Sequence, residues 1–199
     1  MNSIFPAHAT THFPLQLPHD VEGRLIDLTT YFEIEDRLEP LVFPEHPHLE
    51  RHFSTPADRQ NNSRQLSALQ RQTHQEAIAF YVGDEVIGWA AGRMENASEF
   101  LMDVTGIVPS YQGKGIYSAF LKSYLPYLRD VGYERVISYH SPTNRAVLIA
   151  KLKAGFVIRG MMFRENAGAS VQLVYFFHED RFRAFEDAHS LQPGPYTYV

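Results

Sequence analysis

Cysteine is absent from the chain, which excludes disulfides, thiol nucleophiles and cysteine-ligated zinc and removes the usual evidence of redox compartment. Long apolar runs are also missing, and the first twenty residues have neither the basic start nor the continuous apolar core of a secretory signal. A cytoplasmic protein with no membrane contact is expected. Basic residues are in short supply: 18 Lys and Arg against 23 Asp and Glu leave a formal charge of -5, without the broad positive surface that nucleic acid demands. Nucleic acid is disfavoured as a partner. No repeat, low-complexity tract or charge run marks a linker. What is present, 44% hydrophobic and 21% charged residues over 199 positions, suffices for one core and is short for two.

Pro6, Pro14 and Pro18 stand among Phe5, Phe13 and three histidines, so residues 1–22 read as an extended arm rather than a helix. Its aromatics could clamp onto the body or onto a second subunit, which leaves a homodimer open. Residues 23–180 read as the folded unit, with a helix or tail over 181–199 packed on it. Arg24 to Thr29 alternates like a strand, and Tyr31 to Val42 carries apolar residues at helical spacing. Ser54 to Asp58 supplies capping residues and a first-turn proline for a polar surface helix reaching about Gln72. Ala77 to Val82 and Val86 to Arg93 flank a short Gly83-Asp84-Glu85 turn, a hairpin, and Phe100 to Val108 follows as a strand. Tyr117 to Arg129 then reads as a helix with Phe120, Leu121, Tyr124, Leu125 and Leu128 on one side, interrupted by Pro126 and ended at Gly132. Glu134 to His140 is a strand, Asn144 to Lys153 a helix stopped at Gly155, and Phe156 to Phe163 with Val171 to His178 a last hairpin. The order is β-α-α-β-β-β-α-β-α-β-β.

The densest local signal is Ile107-Val-Pro109-Ser-Tyr-Gln112-Gly113-Lys114-Gly115-Ile116-Tyr117-Ser118, an apolar strand end followed by a glycine-rich turn into an amphipathic helix. Two glycines let the backbone approach a ligand, and the unpaired N–H groups of a first helical turn, at the positive end of the dipole, can hold a pyrophosphate. A P-loop is excluded because Gly115 follows Gly113-Lys114 and position 108 is Val. A dinucleotide fingerprint is excluded because Ser118 stands three residues after Gly115. The bland alternative is a glycine-softened connection that binds nothing.

This segment resembles the acyl-CoA-binding motif of the GNAT acetyltransferase superfamily, Gln/Arg-x-x-Gly-x-Gly/Ala. Gln112, Gly113 and Gly115 fit it, while Tyr117 departs from the small residue usual there. Asn144 to Phe156, ending in Gly155-Phe156, resembles the family's Asn-containing helix, and the element order agrees from about residue 24 to 178. The resemblance implies an α/β fold with a mixed, mostly antiparallel sheet and helices on both faces. It also implies acyl-CoA in a V-shaped gap between the strands 100–108 and 134–140. Backbone groups at Ile107 and Val108 would then hold pantetheine, and the amides of Gln112, Gly113, Lys114, Gly115, Ile116, Tyr117 and Ser118 the pyrophosphate. Asn144 would be a cofactor ligand, a helix cap, or both.

The chemistry that the resemblance implies is acetyl transfer from acetyl-CoA to a primary amine, more readily of a small molecule than of a protein, by direct attack and without a metal. Strand alternation would put Ile107, Thr105 and Asp103 on one face and Met102, Val104 and Gly106 on the other. Several family members carry a Glu or His base four or six residues before the position of Ile107. Asp103 occupies the first place and Leu101 the second, so Asp103 is the candidate base, acting through water, with an Arg-paired or solvated carboxylate as its alternative. The family's thiolate-protonating Tyr is replaced by Lys151, which would steady the thiolate or the phosphates electrostatically or be a solvated helix charge. Tyr117 and Tyr139 are the hydroxyl candidates for the acid. His46, His48, Phe53 and Thr105 would line the acceptor, and the histidines fail the zinc-protease spacing. A catalytically silent acyl-CoA-binding module and a structural protein that binds no CoA are the competing readings.

Overall fold

The computed structural model describes residues 6–44, 59–70, 72–164 and 168–189. An eight-stranded sheet runs in the order β1-β2-β3-β4-β5-β6-β8-β7. Its strands are β1 (Leu15–Leu17), β2 (Val21–Ile26), β3 (Gln75–Val82), β4 (Glu85–Asn96), β5 (Glu99–Ile107), β6 (Arg135–His140), β7 (Val157–Arg164) and β8 (Gly168–Phe176). The helices are α1 (Pro6–His12), α2 (Leu28–Val42), α3 (Gln60–Gln70), α4 (Ile116–Val131), α5 (Arg145–Lys153) and α6 (Glu179–His189). Every neighbouring pair is antiparallel except β5 and β6. The expected mixed, mostly antiparallel sheet is present, and the eleven elements from β2 to β8 follow in the expected order.

Helices cover both faces because two helices each bury one stripe. On one face α2 places Tyr31, Ile34 and Leu38 against Ala77, Ala79 and Trp89. On the other, α4 places Phe120, Leu121, Tyr124 and Leu128 against Ile78, Phe80, Phe100 and Met102. Capping fixes where α2 begins: the Asp27 carboxylate accepts the Thr30 N–H at 2.9 Å, which satisfies an orphan donor. Leu28 and Thr29 are therefore helical, and the strand expected over 24–29 lies instead at Val21–Ile26.

The expected extended arm is corrected at its centre. Pro6 opens α1, since a first-position proline lacks only an N–H that the helix would leave unpaired. His12 Nε2 meets Asp130 at 2.9 Å, and Phe13 packs edge-on to Tyr127 at 5.1 Å, so α1 is tied to the end of α4. β1 then adds to the sheet edge through Leu15 opposite Gly23. Nearby, the buried Glu76 carboxylate accepts the hydroxyls of Tyr124, at 2.9 Å, and Tyr127, and lies 3.1 Å from His74 Nε2. This satisfied polar knot fastens the start of β3 to α4. No described helix is long and apolar enough to cross a membrane.

Candidate functional site

The sheet opens where its parallel pair parts. β5 and β6 are in register only at Glu99↔Arg135, Phe100↔Val136 and Leu101↔Ile137. Beyond those rungs Met102 to Ile107 and Ser138 to His140 diverge, leaving facing backbone groups without a ladder partner. A gap open toward the C-terminal ends of both strands results, as the resemblance implied.

A β-bulge in β5 corrects the face assignment. Val104 lies opposite Ala91 while Met102 lies opposite Gly92, so Asp103 is the extra residue. Phe100, Met102 and Ile107 pack with the α4 core, whereas Val104 packs with the α2 core and Gly106 lies under the Trp89 ring. Strict alternation fails because a bulge resets the pleat. Asp103 therefore shares a face with Leu101, Val104 and Gly106, and Thr105 and Ile107 are on the opposite face. Thr105 is not brought to the candidate base.

At the open end of the gap, Pro109–Tyr111 forms a 3-10 turn, and Gly113 and Gly115 adopt φ of 73° and 80°. Those left-handed conformations suit glycine, and a Cβ at either position would meet no atom within 4 Å, so the surface there is open. The first helical bond runs from Ala119 N–H to Gly115 C=O at 3.0 Å. The amides from Gly113 to Ser118 precede it and lack intrahelical acceptors. The Gln112 side chain is spent within the turn, donating to Ile107 C=O at 2.8 Å. Lys114 Nζ sits over the Tyr111 ring at 4.6 Å, and His19 Nε2 lies 3.2 Å from Lys114 C=O. Tyr117 leans onto Phe120 and the α4 core, and burial pushes its hydroxyl pKa up. Its ring therefore goes to packing, which answers how the cradle tolerates a large residue there.

Deep in the gap stands Lys151, which is 1% exposed. A solvated helix charge is excluded. Its Nζ donates to Ser138 Oγ at 2.8 Å, lies 3.6 Å from Met102 Sδ and sits 4.3 Å over the Phe156 ring. Desolvation lowers its pKa to about 7. His140 Nε2 is 3.1 Å from the same Ser138 Oγ, and desolvation, with the Lys151 charge second, lowers the His140 pKa to about 3. Asn144 acts as the α5 cap, accepting the Val147 N–H at 3.3 Å.

The α2-side face carries a second constellation. A cleft of about 210 Å³ is lined by Arg93, Glu95, Leu101, Asp103, Tyr139 and Met162. Asp103 is exposed and ion-paired with Arg93, and the Tyr139 hydroxyl accepts from Gln172 Nε2 at 2.8 Å. An adjoining hollow is bordered by Tyr31, Phe32, Gly92, Arg93 and Asp103. On α2 the half-buried Glu35 accepts the Tyr31 hydroxyl, and burial leads the causes that raise its pKa. His46, His48 and Phe53 lie outside the described residues. Among the described residues no cluster could hold a metal. Sequence reasoning missed Arg93, Glu35, Ser138 and His140. The i,i+2 spacing of Ser138 and His140 on one strand face was the available signal for that pair.

Residues 33–156 match the Acetyltransferase (GNAT) family. The chain belongs to the GNAT acetyltransferase family. Among solved structures it is similar in fold to RimL, a ribosomal L7/L12 alpha-N-protein acetyltransferase in complex with coenzyme A. That match has 14% identity over 81% of this chain and 97% of that one, with a TM-score of 0.59. A GNAT acetyltransferase from Elizabethkingia anophelis with acetyl-CoA bound matches at 13% identity over 80% and 99%, TM-score 0.55. An IAA acetyltransferase from Bacillus cereus ATCC 14579 matches at 16% over 78% and 99%, TM-score 0.54. At these identities the likeness to each GNAT structure is one of fold. No curated protein matches the chain in sequence.

Proposed function

We propose that this GNAT protein transfers the acetyl group of acetyl-CoA to a primary amine, of a small molecule rather than a protein, drawing on the cytoplasmic acetyl-CoA pool. The observation that carries the reading is the continuity between the amide-rich turn at Gly113–Ser118 and the unpaired edges of β5 and β6. Pantetheine would fill the gap as a surrogate strand beside Ile107 and Val108, with its pyrophosphate on the turn and its thioester directed inward. The acceptor would approach from the α2-side face. There Asp103 and Glu95 outnumber Arg93, a balance suited to an ammonium group.

The reaction follows from that arrangement. Asp103, through water, takes the proton that the ammonium must lose before its nitrogen can attack the carbonyl. A backbone N–H near Ile107 steadies the oxyanion as the tetrahedral intermediate forms. Collapse expels the CoA thiolate, and the second proton that the acceptor nitrogen sheds on becoming an amide passes through solvent to the sulfur, giving free CoA thiol. The Asp103–Arg93 pair favours a second reading, a silent acyl-CoA-binding module, because a carboxylate held by guanidinium is a weaker base. Calorimetric titration with acetyl-CoA tests both readings at once, since absence of binding defeats them together. Thiol release from acetyl-CoA with a panel of polyamines, arylalkylamines and amino acids then separates them, and binding without turnover on any amine leaves the silent module.

A further inference from the structure

The β1–β2 turn reaches the glycine-rich turn from the side away from the gap. β1 and β2 close one end of the sheet, beyond β3 and β4 from β5, whereas the gap opens between β5 and β6. Leu15, Leu17 and Val21 share a core with Ile116, Phe120 and Leu121 of α4, which fixes the hairpin against the start of that helix. Pro18, His19 and Asp20 connect the paired Leu17 and Val21. The hairpin precedes the segment matched to the family.

That connection is held in a disfavoured conformation. His19 and Asp20 have φ of 63° and 57°, and among the described residues they are the only ones other than glycine with positive φ. Histidine tolerates this region better than most side chains, but glycine adopts it without a Cβ penalty. What the ring touches is therefore informative. Its Nε2 lies 3.2 Å from the Lys114 carbonyl oxygen, and because such an oxygen only accepts, Nε2 carries the hydrogen and donates it.

The Lys114 carbonyl is the one that an anion cradle needs turned away. Peptide N–H and C=O point in opposite directions across a trans bond, so with the Lys114 oxygen held toward the hairpin, the Gly115 N–H points away from it. Glycine accepts φ of either sign, so at position 115, where φ is 80°, the Lys114–Gly115 peptide can turn over and present an oxygen where the amide now stands. An oxygen there would repel a phosphate. Neighbouring carbonyls are engaged already: Gln112 Nε2 donates to Ile107, the Tyr111 N–H to Val108, the Gln112 N–H to Pro109 and the Ala119 N–H to Gly115. The Lys114 ammonium lies over the Tyr111 ring, and His19 completes the set.

Resting on the acyl-CoA reading above, we propose that His19 is a positioning residue for the cofactor, locking the Lys114–Gly115 peptide with its N–H side presented to the pyrophosphate. It acts through the turn and does not itself touch the ligand. The turn is thereby set before the ligand arrives, which lowers the ordering cost of binding. One neutral hydrogen bond at an exposed site shifts an equilibrium by about two- to tenfold, and that is the affinity at stake.

The first arm of the test needs no acceptor. Wild-type protein, His19→Gly, His19→Asn and His19→Gln are titrated with CoA by calorimetry and unfolded in urea without ligand. His19→Gly should bind CoA about two- to tenfold more weakly, yet unfold at the same or a higher urea concentration, since glycine removes the positive-φ penalty. A merely structural residue would lower both together. Asparagine also suits the backbone, but its amide is too short to reach the carbonyl, so His19→Asn should be as weak as His19→Gly. Glutamine carries its Nε2 about as far as histidine does, and His19→Gln should bind within about twofold of wild type. In turnover with the most active amine of the panel, His19→Gly should raise KM for acetyl-CoA with kcat unchanged. It should use S-acetylpantetheine, which lacks the pyrophosphate, as well as wild type does. A loss of less than about twofold in His19→Gly, wild-type affinity in His19→Asn, or a His19→Gln as weak as His19→Gly overturns the role. So does a His19→Gly that loses stability along with affinity, or that is impaired equally toward S-acetylpantetheine. Wild-type protein that binds no CoA sinks the acyl-CoA reading and this role together, whereas wild-type binding that is indifferent to residue 19 sinks only the role.

Discussion

Replacing Lys151 by Met should stabilise the fold, and by an amount that depends on pH in a defined direction. The native pKa is about 7 against an ordinary value of 10.5, so between those values the unfolded chain binds more protons than the native one. Stability therefore rises with pH through this window, and the burial penalty is fully present below pH 7 and gone above about 10.5. Each pH unit across the window is worth about 1.4 kcal/mol, which makes the whole penalty at most about 5 kcal/mol. Methionine has no charge to desolvate and a similar unbranched shape. The advantage of Lys151→Met over wild type should thus be largest near pH 6 and shrink by up to about 1.4 kcal/mol per pH unit above 7. Urea unfolding of both proteins at pH 6, 7, 8 and 9 measures that difference, and taking it between the two proteins cancels the titration of the buried tyrosines. A difference that stays constant across the series, or widens in alkali, would refute the claim that Lys151 is buried without a counter-charge.

Gly113→Asp and Gly115→Asp should abolish acetyl-CoA binding in calorimetry, because each adds bulk and negative charge beside the amides of the turn; wild-type affinity in either folded variant would remove the pyrophosphate from this loop. Asp103→Asn should lower the acetyl-transfer rate by about 10²–10⁴ with CoA affinity intact, and the loss should narrow as pH rises and the acceptor amine deprotonates unaided. Full activity across neutral pH would make Asp103 a bystander. Gly106→Val should destabilise the protein by about 1–3 kcal/mol in chemical denaturation, since a Cβ there would stand 2.5 Å from the Trp89 ring; a neutral result would mean that the β4–β5 contact yields more easily than its geometry indicates.

The fold was legible where local signals and burial agree. Apolar spacing in α4, the Gly83 turn and the Gly155 stop all act within a few residues, so periodicity and turn chemistry located them. At Pro6 the composition suggests a helix breaker, yet at a first helical position proline is compatible with the helix, and the tertiary contacts of His12 and Phe13 hold α1 in place. The bulge at Asp103 has no local signature: it is defined by the register between Ala91 and Val104, which one strand cannot report. Lys151 illustrates the same limit. Its helical position was readable, but α5 has weak amphipathic patterning, and only the packing of β5, β6 and Phe156 around it turns an ordinary surface residue type into a buried one. The Arg93–Asp103 pair likewise joins two strands whose facing residues the linear chain does not disclose.

The three rungs between β5 and β6 make the sheet, mechanically, two sheets sharing a seam. One contains β1 to β5, the other β6, β8 and β7, and α4 shares an apolar core with residues of both, Phe80 and Phe100 on one side and Val136 and Leu173 on the other. Such a seam is the natural boundary between cooperative units, because few hydrogen bonds must break there for one half to loosen while the other stays folded. A ligand lying along it would act as a suture. Its binding energy would enter the coupling between the halves as well as the total stability, so the same opening that admits a ligand lets occupancy set how far the protein unfolds as a single unit.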